Sequence, residues 1–457
     1  MNHRLHASIL REYDIRGPVG PRLGPDDARA VGRSFATRVR RAGGRRVAVG
    51  RDGRLTSPAL EAALVEGLVA GGVDVVRVGL GPTPMLYWAE ATLGVDGGVQ
   101  VTGSHNPAGD NGFKLKLGHR SFFGEDIRDL ARLAERGDWE SGSGNVEDVE
   151  VRDAYADRLV RGVPARGFRV GWDAGNGAAG PVVERLAALL PGEHHLLHTR
   201  VDGRFPNHHP DPSVDANLDE LKRLVLDRGL DCGFAFDGDG DRIGAVDGLG
   251  RVVRADLLLA LLAEPVLRAE PGATVIADVK SSAALFDRVR QLGGRPVMWR
   301  SGHSSIKTKM AEERAPIAGE LSGHLFFGHD WYGFDDAQLA AVRLLGVLAE
   351  TGRPLADLVD ALPRYLSTPE LRFPVDPERR LAVVDEVSAR LARRGAAAER
   401  VDGVRVTTPE GWWLLRASNT EALLTVRAEA RDAASLDRLL AEIDGELGLS
   451  GVARPRD

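Results

Sequence analysis

Short runs of Val, Ile, Leu, Ala and Phe alternate along the chain with longer segments in which apolar residues recur every three or four positions. These are the two periodicities of strand and helix. Residues 46–50 (Arg-Val-Ala-Val-Gly) predict a strand, 57–70 a helix, and 73–78 and 98–101 two further strands. The pattern restarts at 168–172, 232–236, 274–277 and 296–299. Such alternation argues for α/β architecture. Several of these runs end in Asp followed by small or polar residues: Arg51-Asp52-Gly53, Asp173-Ala174-Gly175, Asp237-Gly238-Asp239 and Asp278-Val279-Lys280. Polar groups just past the C-terminal ends of parallel strands sit where open α/β sheets bind ligands. Their recurrence suggests a repeated α/β unit. A helical stretch over 343–362 then gives way to a different pattern. Strands at 405–407, 412–416 and 423–427 read as an antiparallel sheet, and 433–447 as an amphipathic helix, together a small α+β domain.

A length of 457 residues suggests about three domains and allows four. The polar stretch Glu140-Ser-Gly-Ser-Gly-Asn145 reads as a first linker. A second boundary follows Asp247-Gly-Leu-Gly250, and a third falls near Leu362-Pro363. The resulting segments are 1–145, 146–249, 250–363 and 364–457.

Charge and composition remove several functions. With 60 Lys+Arg against 66 Asp+Glu the net charge is −6, which gives no basic surface for nucleic acid. The single cysteine, Cys232, excludes an intramolecular disulfide and a cysteine-rich metal site. No apolar run approaches the roughly 18 residues of a membrane helix, and the polar N-terminus does not resemble a signal peptide. A soluble, cytoplasmic protein without membrane contact is expected. Only six of the basic residues are lysine, and five of those six stand near polar turns: Lys114 and Lys116 after the 102–107 turn, Lys280 at a strand end, and Lys307 and Lys309 after Gly302-His303. Arginine cannot readily lose a proton, so a proton shuttle or a point-charge phosphate contact would resist the replacement of lysine.

Asp237-Gly-Asp-Gly-Asp-Arg242 carries three carboxylates at alternate positions with glycines between them. Such a turn can bring one oxygen from each to a single hard cation, with Mg²⁺ the natural partner. A calcium EF-hand fails on spacing, because Arg242 and Gly248 stand where its glycine and glutamate belong. Thr102-Gly-Ser-His-Asn-Pro107 places Ser104 on a tight turn beside His105, with Lys114 ten residues on. A serine nucleophile needs activation by a base or a metal; a helix N-cap is the plainer reading. Arg416-Ala-Ser-Asn-Thr-Glu421 joins two strands and offers guanidinium, hydroxyl, amide and backbone donors suited to phosphate, or an ordinary hairpin turn. Gly319-Glu-Leu-Ser-Gly-His324 carries carboxylate, hydroxyl and imidazole at alternate positions, which an extended loop would turn one way towards sugar hydroxyls. Gly175-Asn-Gly-Ala-Ala-Gly180 matches a dinucleotide fingerprint, but close helix–strand packing ahead of Pro181 explains the glycines as well. His194, His195, His198, His208 and His209 follow no zinc spacing, so solvent-facing or interdomain places are expected for them.

As a set, these motifs resemble the α-D-phosphohexomutase superfamily over nearly the whole chain. Glu12-Tyr-Asp-Ile-Arg-Gly17 is similar to its N-terminal signature, 102–107 to its phosphoserine loop, 237–242 to its magnesium loop, 319–324 to its sugar loop and 416–421 to its phosphate loop. Phe205-Pro-Asn-His-His-Pro-Asp-Pro212 adds another segment. The sugar and phosphate loops look most like the phosphomannomutase/phosphoglucomutase branch. Leu321 stands where that branch usually has Met, and Ala422 where a proline often follows.

The resemblance implies three related α/β domains and a smaller C-terminal α+β domain around a central cleft. It implies that Ser104 carries a phosphoryl group and that Asp237, Asp239, Asp241 and an oxygen on Ser104 hold one Mg²⁺. Lys114 or His105 would serve as general acid–base, with Arg242 stabilising the transferring group. Glu320 and Ser322, with His324 nearby, would contact sugar hydroxyls. Arg416, Ser418, Asn419 and Thr420 would bind the distal phosphate with help from Tyr13, Lys280 and His303. The implied substrates are hexose phosphates, with a hexose 1,6-bisphosphate as intermediate. A monomer is expected, with a dimer left open. Phosphoglucosamine mutase is the alternative within this class, and a dinucleotide-dependent oxidoreductase the alternative outside it.

Overall fold

In the computed structural model, which describes residues 2–163, 165–417 and 423–454, four β-sheets follow one another along the chain. The first three share one plan. In each, two strands lie parallel to a central one. Asp74–Leu80 and Gly97–Val101 flank Arg46–Arg51, and Gly192–Leu197 and Cys232–Phe236 flank Phe168–Asp173. Arg295–Trp299 and Ile317–Gly319 flank Thr274–Asp278 in the same way. The last strand of each trio then turns back into an antiparallel neighbour, Asp110–Leu117, Ile243–Asp247 or Leu325–Phe327. The three reversal loops contain Ser104, Asp237 to Arg242, and Glu320 to His324. One topological position, used three times, therefore presents three of the chemically marked loops.

The fourth sheet is antiparallel, with Gly411–Ala417 and Leu423–Ala430 forming its central hairpin. Helices Arg380–Arg393 and Ala433–Gly448 complete this α+β unit. Strand Val146–Asp148 pairs with Asp74–Leu80, so the chain stays in the first sheet through Asp148.

Local chemistry accounts for the elements. Cys232–Phe236 is buried at every position, as a strand covered on both faces requires. Helix Ser57–Ala70 has Pro58 in its first turn, where no N–H is needed, and Gly71 after its end. The helix expected over 343–362 is two helices, Ala337–Thr351 and Leu355–Asp360. Gly352 closes the first with a left-handed φ of 68°, and Pro354 cannot continue it.

One continuous apolar core joins the first three units, running through Tyr87, Tyr155, Trp172, Phe236, Leu259 and Leu345. The fourth has its own core around Phe373, Trp413, Leu415 and Ile443. It meets the third across a small patch of Val279, Trp412 and Leu414. Arg405 stacks 3.7 Å above the Trp412 ring and donates to the carbonyls of Val279 (2.6 Å) and Ser281 (3.1 Å), on either side of Lys280. Among the described residues no helix is long and apolar enough to cross a membrane.

Candidate active site

Ser104 sits at φ +49°, in the left-handed region that an L-residue rarely adopts, on the reversal loop of the first sheet. The loop is held from behind. Asp52 accepts from Thr102 Oγ1 (2.8 Å) and Gly103 N (3.2 Å), and Thr102 Oγ1 accepts from Ser104 N (2.8 Å). The buried guanidinium of Arg54 donates to four loop carbonyls, those of Ser104, Asn106, Pro107 and Asp110, at 2.6 to 2.9 Å. Burial lowers the Arg54 pKa, and Asp52 offsets part of that effect.

Ser104 Oγ is thereby placed 2.9 Å from Asp237 Oδ2, to which it donates, and 3.0 Å from His105 Nδ1. The aspartate loop presses directly on the serine loop: a Cβ on Gly238 would stand 2.3 Å from the Ser104 carbonyl oxygen. Asp237 Oδ1 accepts from the backbone N–H groups of Asp241 (3.0 Å) and Arg242 (3.1 Å), which curls the loop. As a result Asp237, Asp239 and Asp241 bring one carboxylate oxygen each within 4.8 Å of the others, all buried. Lys114 Nζ reaches in from the first sheet to Asp239 Oδ2 (2.7 Å) and to Asp241. Thr83 Oγ1 donates to Asp239 at 2.5 Å.

The charges in this cluster are strongly coupled. Burial and the neighbouring Asp239 and Asp241 push the Asp237 carboxyl well up from its ordinary range. Burial would also raise Asp239, but the Lys114 ammonium and the Thr83 hydroxyl hold it well down. Burial opposes the charge on Lys114 as well, yet Asp239 and Asp241 outweigh it and keep the ammonium form. His105 is pushed well down by burial and by Arg242 and Arg16, so it stays neutral. The set fits a hard divalent cation. The three carboxylates are oxygen donors, and Asp239 Oδ1 and Asp241 Oδ1 are buried with no hydrogen-bond partner among the described residues.

Above this floor opens a cleft of about 740 Å³ bordered by all four units. Tyr13 and His105 come from the first, Arg242 from the second, Lys280, His303 and the 320–324 turn from the third, and Arg416 from the fourth. Its walls carry Arg242, Arg254, Lys280, Arg372, Arg416 and Arg427 against Glu320 and Glu370, a strong attraction for an anionic ligand. The 319–324 segment is a hairpin turn rather than the extended loop expected. Gly323 N donates to the Glu320 carbonyl (3.1 Å) and Glu320 N to the His324 carbonyl (2.9 Å). Glu320, Ser322 and His324 nevertheless all line the cleft. Glu320 accepts from Gly302 N, and burial raises its carboxyl pKa. His324 Nε2 accepts from Arg242 Nε at 3.0 Å and its Nδ1 lies 2.9 Å from Asp335 Oδ2, tying the 319–324 turn to the aspartate loop.

Tyr13 donates to the Ser301 carbonyl (2.8 Å), and burial pushes its hydroxyl up to about 12. Lys280 Nζ lies 3.8 Å from Asp278 Oδ2, and Arg416 Nη2 is 3.0 Å from Asp402 Oδ2. Ser418, Asn419 and Thr420 lie outside the described residues. Arg54, Thr83 and Asp335 are participants with no sequence motif of their own. Lys307 bonds Asp335 Oδ1 at 2.9 Å, and its only advance sign was the scarcity of lysine.

Two glycine- and histidine-rich segments resolve differently. The 175–180 glycines serve close packing, since a Cβ on Gly180 would meet the Thr199 carbonyl oxygen at 1.9 Å. The scattered histidines do not all stay apart: His198 and His208 converge on Asp173.

Known proteins resemble this chain over nearly its whole length. Models of the phosphoglucomutase/phosphomannomutase family match in chain order: α/β/α domain I at residues 7–139, domain II at 153–250, domain III at 254–365 and the C-terminal domain at 370–446. A phosphomannomutase/phosphoglucomutase of Pseudomonas putida is 43% identical over 436 residues, covering 95% of this chain and 94% of that one. A phosphoglucomutase of Neisseria gonorrhoeae is 40% identical, covering 94% and 95%. The crystal structure of a phosphoglucomutase/phosphomannomutase family protein from Burkholderia thailandensis superposes with a TM-score of 0.94 at 42% identity, covering 99% of this chain and all of that one. Fold and site define a phosphohexomutase, an isomerase that moves a phosphoryl group within a sugar phosphate. The chain belongs to the phosphoglucomutase/phosphomannomutase family.

Proposed function

We propose that the protein interconverts the 1- and 6-phosphates of mannose and glucose, with Ser104 as the phosphoryl carrier and a hexose 1,6-bisphosphate as the intermediate. The observation that carries this reading is the placement of Ser104 Oγ 2.9 Å from Asp237, at the floor of a cation-walled cleft. Mg²⁺ held by Asp237, Asp239, Asp241 and an oxygen on phosphorylated Ser104 would supply charge neutralisation as the phosphoryl moves.

The chain's own groups divide the remaining work. His105, neutral and within hydrogen-bond reach of Ser104 Oγ, handles the proton at that oxygen. Lys114, committed to Asp239 and Asp241, balances their charge rather than shuttling protons. Arg242 borders the cleft beside the aspartates and meets the transferring group. A substrate that must bind in two opposite orientations needs one phosphate site remote from the serine and one clamp on the sugar. Arg416, Lys280, Tyr13 and His303 serve the first, together with Ser418, Asn419 and Thr420. Glu320, Ser322 and His324 serve the second. Glucose and mannose differ only at C2, so a clamp on other hydroxyls accepts both. The test is Mg²⁺-dependent turnover of glucose, mannose and glucosamine 1-phosphates side by side. Turnover of the first two well above the third supports the reading, and preference for glucosamine 1-phosphate overturns the substrate assignment.

A further inference from the structure

Asp173 ends strand Phe168–Asp173, and His198 directly follows the parallel neighbour Gly192–Leu197, in which Leu197 lies opposite Asp173. His208 arrives on the loop that follows. Each of the three offers one ligand atom within 4.8 Å of the other two. They stand 25 and 10 residues apart in sequence, so the parallel pairing of two strands, and no local spacing, brings them together.

The hydrogen bonds orient both rings. His208 Nδ1 lies 3.0 Å from the His209 carbonyl, which can only accept, so Nδ1 carries a proton. In the neutral ring Nε2 then holds the lone pair, and it faces Asp173 Oδ2 at 2.9 Å. A lone pair opposite a buried carboxylate requires a proton or a cation between them. His198 differs, because its lone pair already meets a donor that an entering ion would displace. Its Nε2 lies 2.6 Å from Glu220 Oε2, which fixes the proton there and leaves the lone pair on Nδ1, where the Asn207 side-chain amide meets it. The two rings stand edge to face with centroids 5.4 Å apart. A partner that holds the second imidazole nitrogen is the usual companion of a metal-ligating histidine, because it sets the tautomer and raises ligand basicity. Asp173 itself is fully buried, while the histidine side chains keep 15% and 12% exposure, enough to admit an ion from solvent.

We propose that Asp173, His198 and His208 form a second divalent-cation site, distinct from the aspartate loop, that takes a borderline transition ion such as Zn²⁺ or Co²⁺. Two imidazoles and one carboxylate suit those ions, whereas Mg²⁺ prefers an all-oxygen shell. The two sites therefore sort their ions by donor chemistry. This site joins the 174–179 loop to the loop bearing His208, and the 174–179 loop packs beneath the aspartate loop through Ala178 N donating to the Gly238 carbonyl (3.0 Å).

Co²⁺ is the probe. The full chain, stripped with chelator and then saturated with Mg²⁺, is titrated with Co²⁺ and followed by visible absorption. The expected result is one equivalent bound with the intense d–d bands of four-coordinate cobalt. His198→Gln and His208→Gln should each weaken that binding by about 10- to 100-fold. Asp241→Asn should leave the bands in place, separating this site from the aspartate loop. Mg²⁺-dependent mutase turnover and the melting curve of each histidine variant report whether it has folded. No cobalt bands in the wild-type chain at millimolar Co²⁺ would overturn the proposal without recourse to any variant. Bands that survive in both folded histidine variants, or that vanish with Asp241→Asn, would overturn it too.

Discussion

Lys114 Nζ, from the first sheet, lies 2.7 Å from Asp239 Oδ2 and also contacts Asp241, so one ammonium ties together two carboxylates of a loop belonging to the second sheet. The pair spans the junction between the unit that supplies the serine and the unit that supplies the aspartates. Lys114→Met keeps the length of the side chain and removes its charge. The expected outcome is a fall in kcat of about 10²- to 10³-fold, the size typical of losing a preorganised charge beside a reacting group. The Mg²⁺ concentration for half-maximal activity should not rise, because a competing cation has been removed. Turnover measured across a Mg²⁺ series checks both parts, and a variant within threefold of wild type would remove Lys114 from the mechanism.

Arg54 touches no part of the cleft, yet its guanidinium gathers four carbonyls of the serine loop. Arg54→Lys offers one ammonium where a planar fork stood, so some of those carbonyls lose their donor in a buried place. A loss of about 1–3 kcal/mol in unfolding free energy is expected. The misplaced serine should lower kcat at least tenfold while KM for the sugar phosphate stays close to wild type. Urea denaturation and steady-state kinetics read the two effects separately. A large KM change with normal kcat would show that Arg54 acts on binding instead.

The difference between Ser104 and Arg54 explains how much of this protein could be read in advance. Ser104, the three aspartates and Glu320 lie on short loops after strands, where Gly, Asp, Ser and His stand out against apolar runs. The α/β and α+β divisions were legible for the same reason, since periodicity is local. Helix 57–70 and strand 232–236 match the structure residue for residue. Arg54, Thr83 and Asp335 reach the site only because sheet topology folds distant segments onto it, and nothing in their neighbours marks them. The extended reading of 319–324 failed because its chain reversal depends on pairing between Ile317–Gly319 and Leu325–Phe327, and strands of three residues give little periodic signal. The reading of 343–362 as one helix gave Gly352 and Pro354 too little weight as breakers. The convergence of His198 and His208 on Asp173 was equally hidden by sequence distance.

His303 begins helix His303–Glu313 at the cleft wall, faced by Lys307, Asp335, His324 and Lys114. Burial and then the Lys307 charge push its imidazole well down from the ordinary value, so the folded protein keeps it neutral while the unfolded chain protonates it near pH 6.5. Below that pH the unfolded state binds the extra proton, and stability is lost as pH falls. His303→Gln removes this one contribution. The stability advantage of wild type over the variant should therefore shrink by about 1 kcal/mol between pH 7 and pH 5.5. Denaturation midpoints across that range provide the measurement; parallel pH curves would mean that His303 titrates alike in the folded and unfolded protein, and an advantage that grows as pH falls would mean that it is charged in the folded one.

The central claim is that Ser104 carries the phosphoryl group. Its most direct test is peptide mass spectrometry of the protein after exposure to glucose 1,6-bisphosphate and Mg²⁺. One phosphoryl group on the peptide containing Ser104 is predicted, labile to excess hexose phosphate and absent from Ser104→Ala, which should retain under about 1% of wild-type turnover. An unmodified Ser104 under every priming condition, or full turnover by Ser104→Ala, would contradict the account.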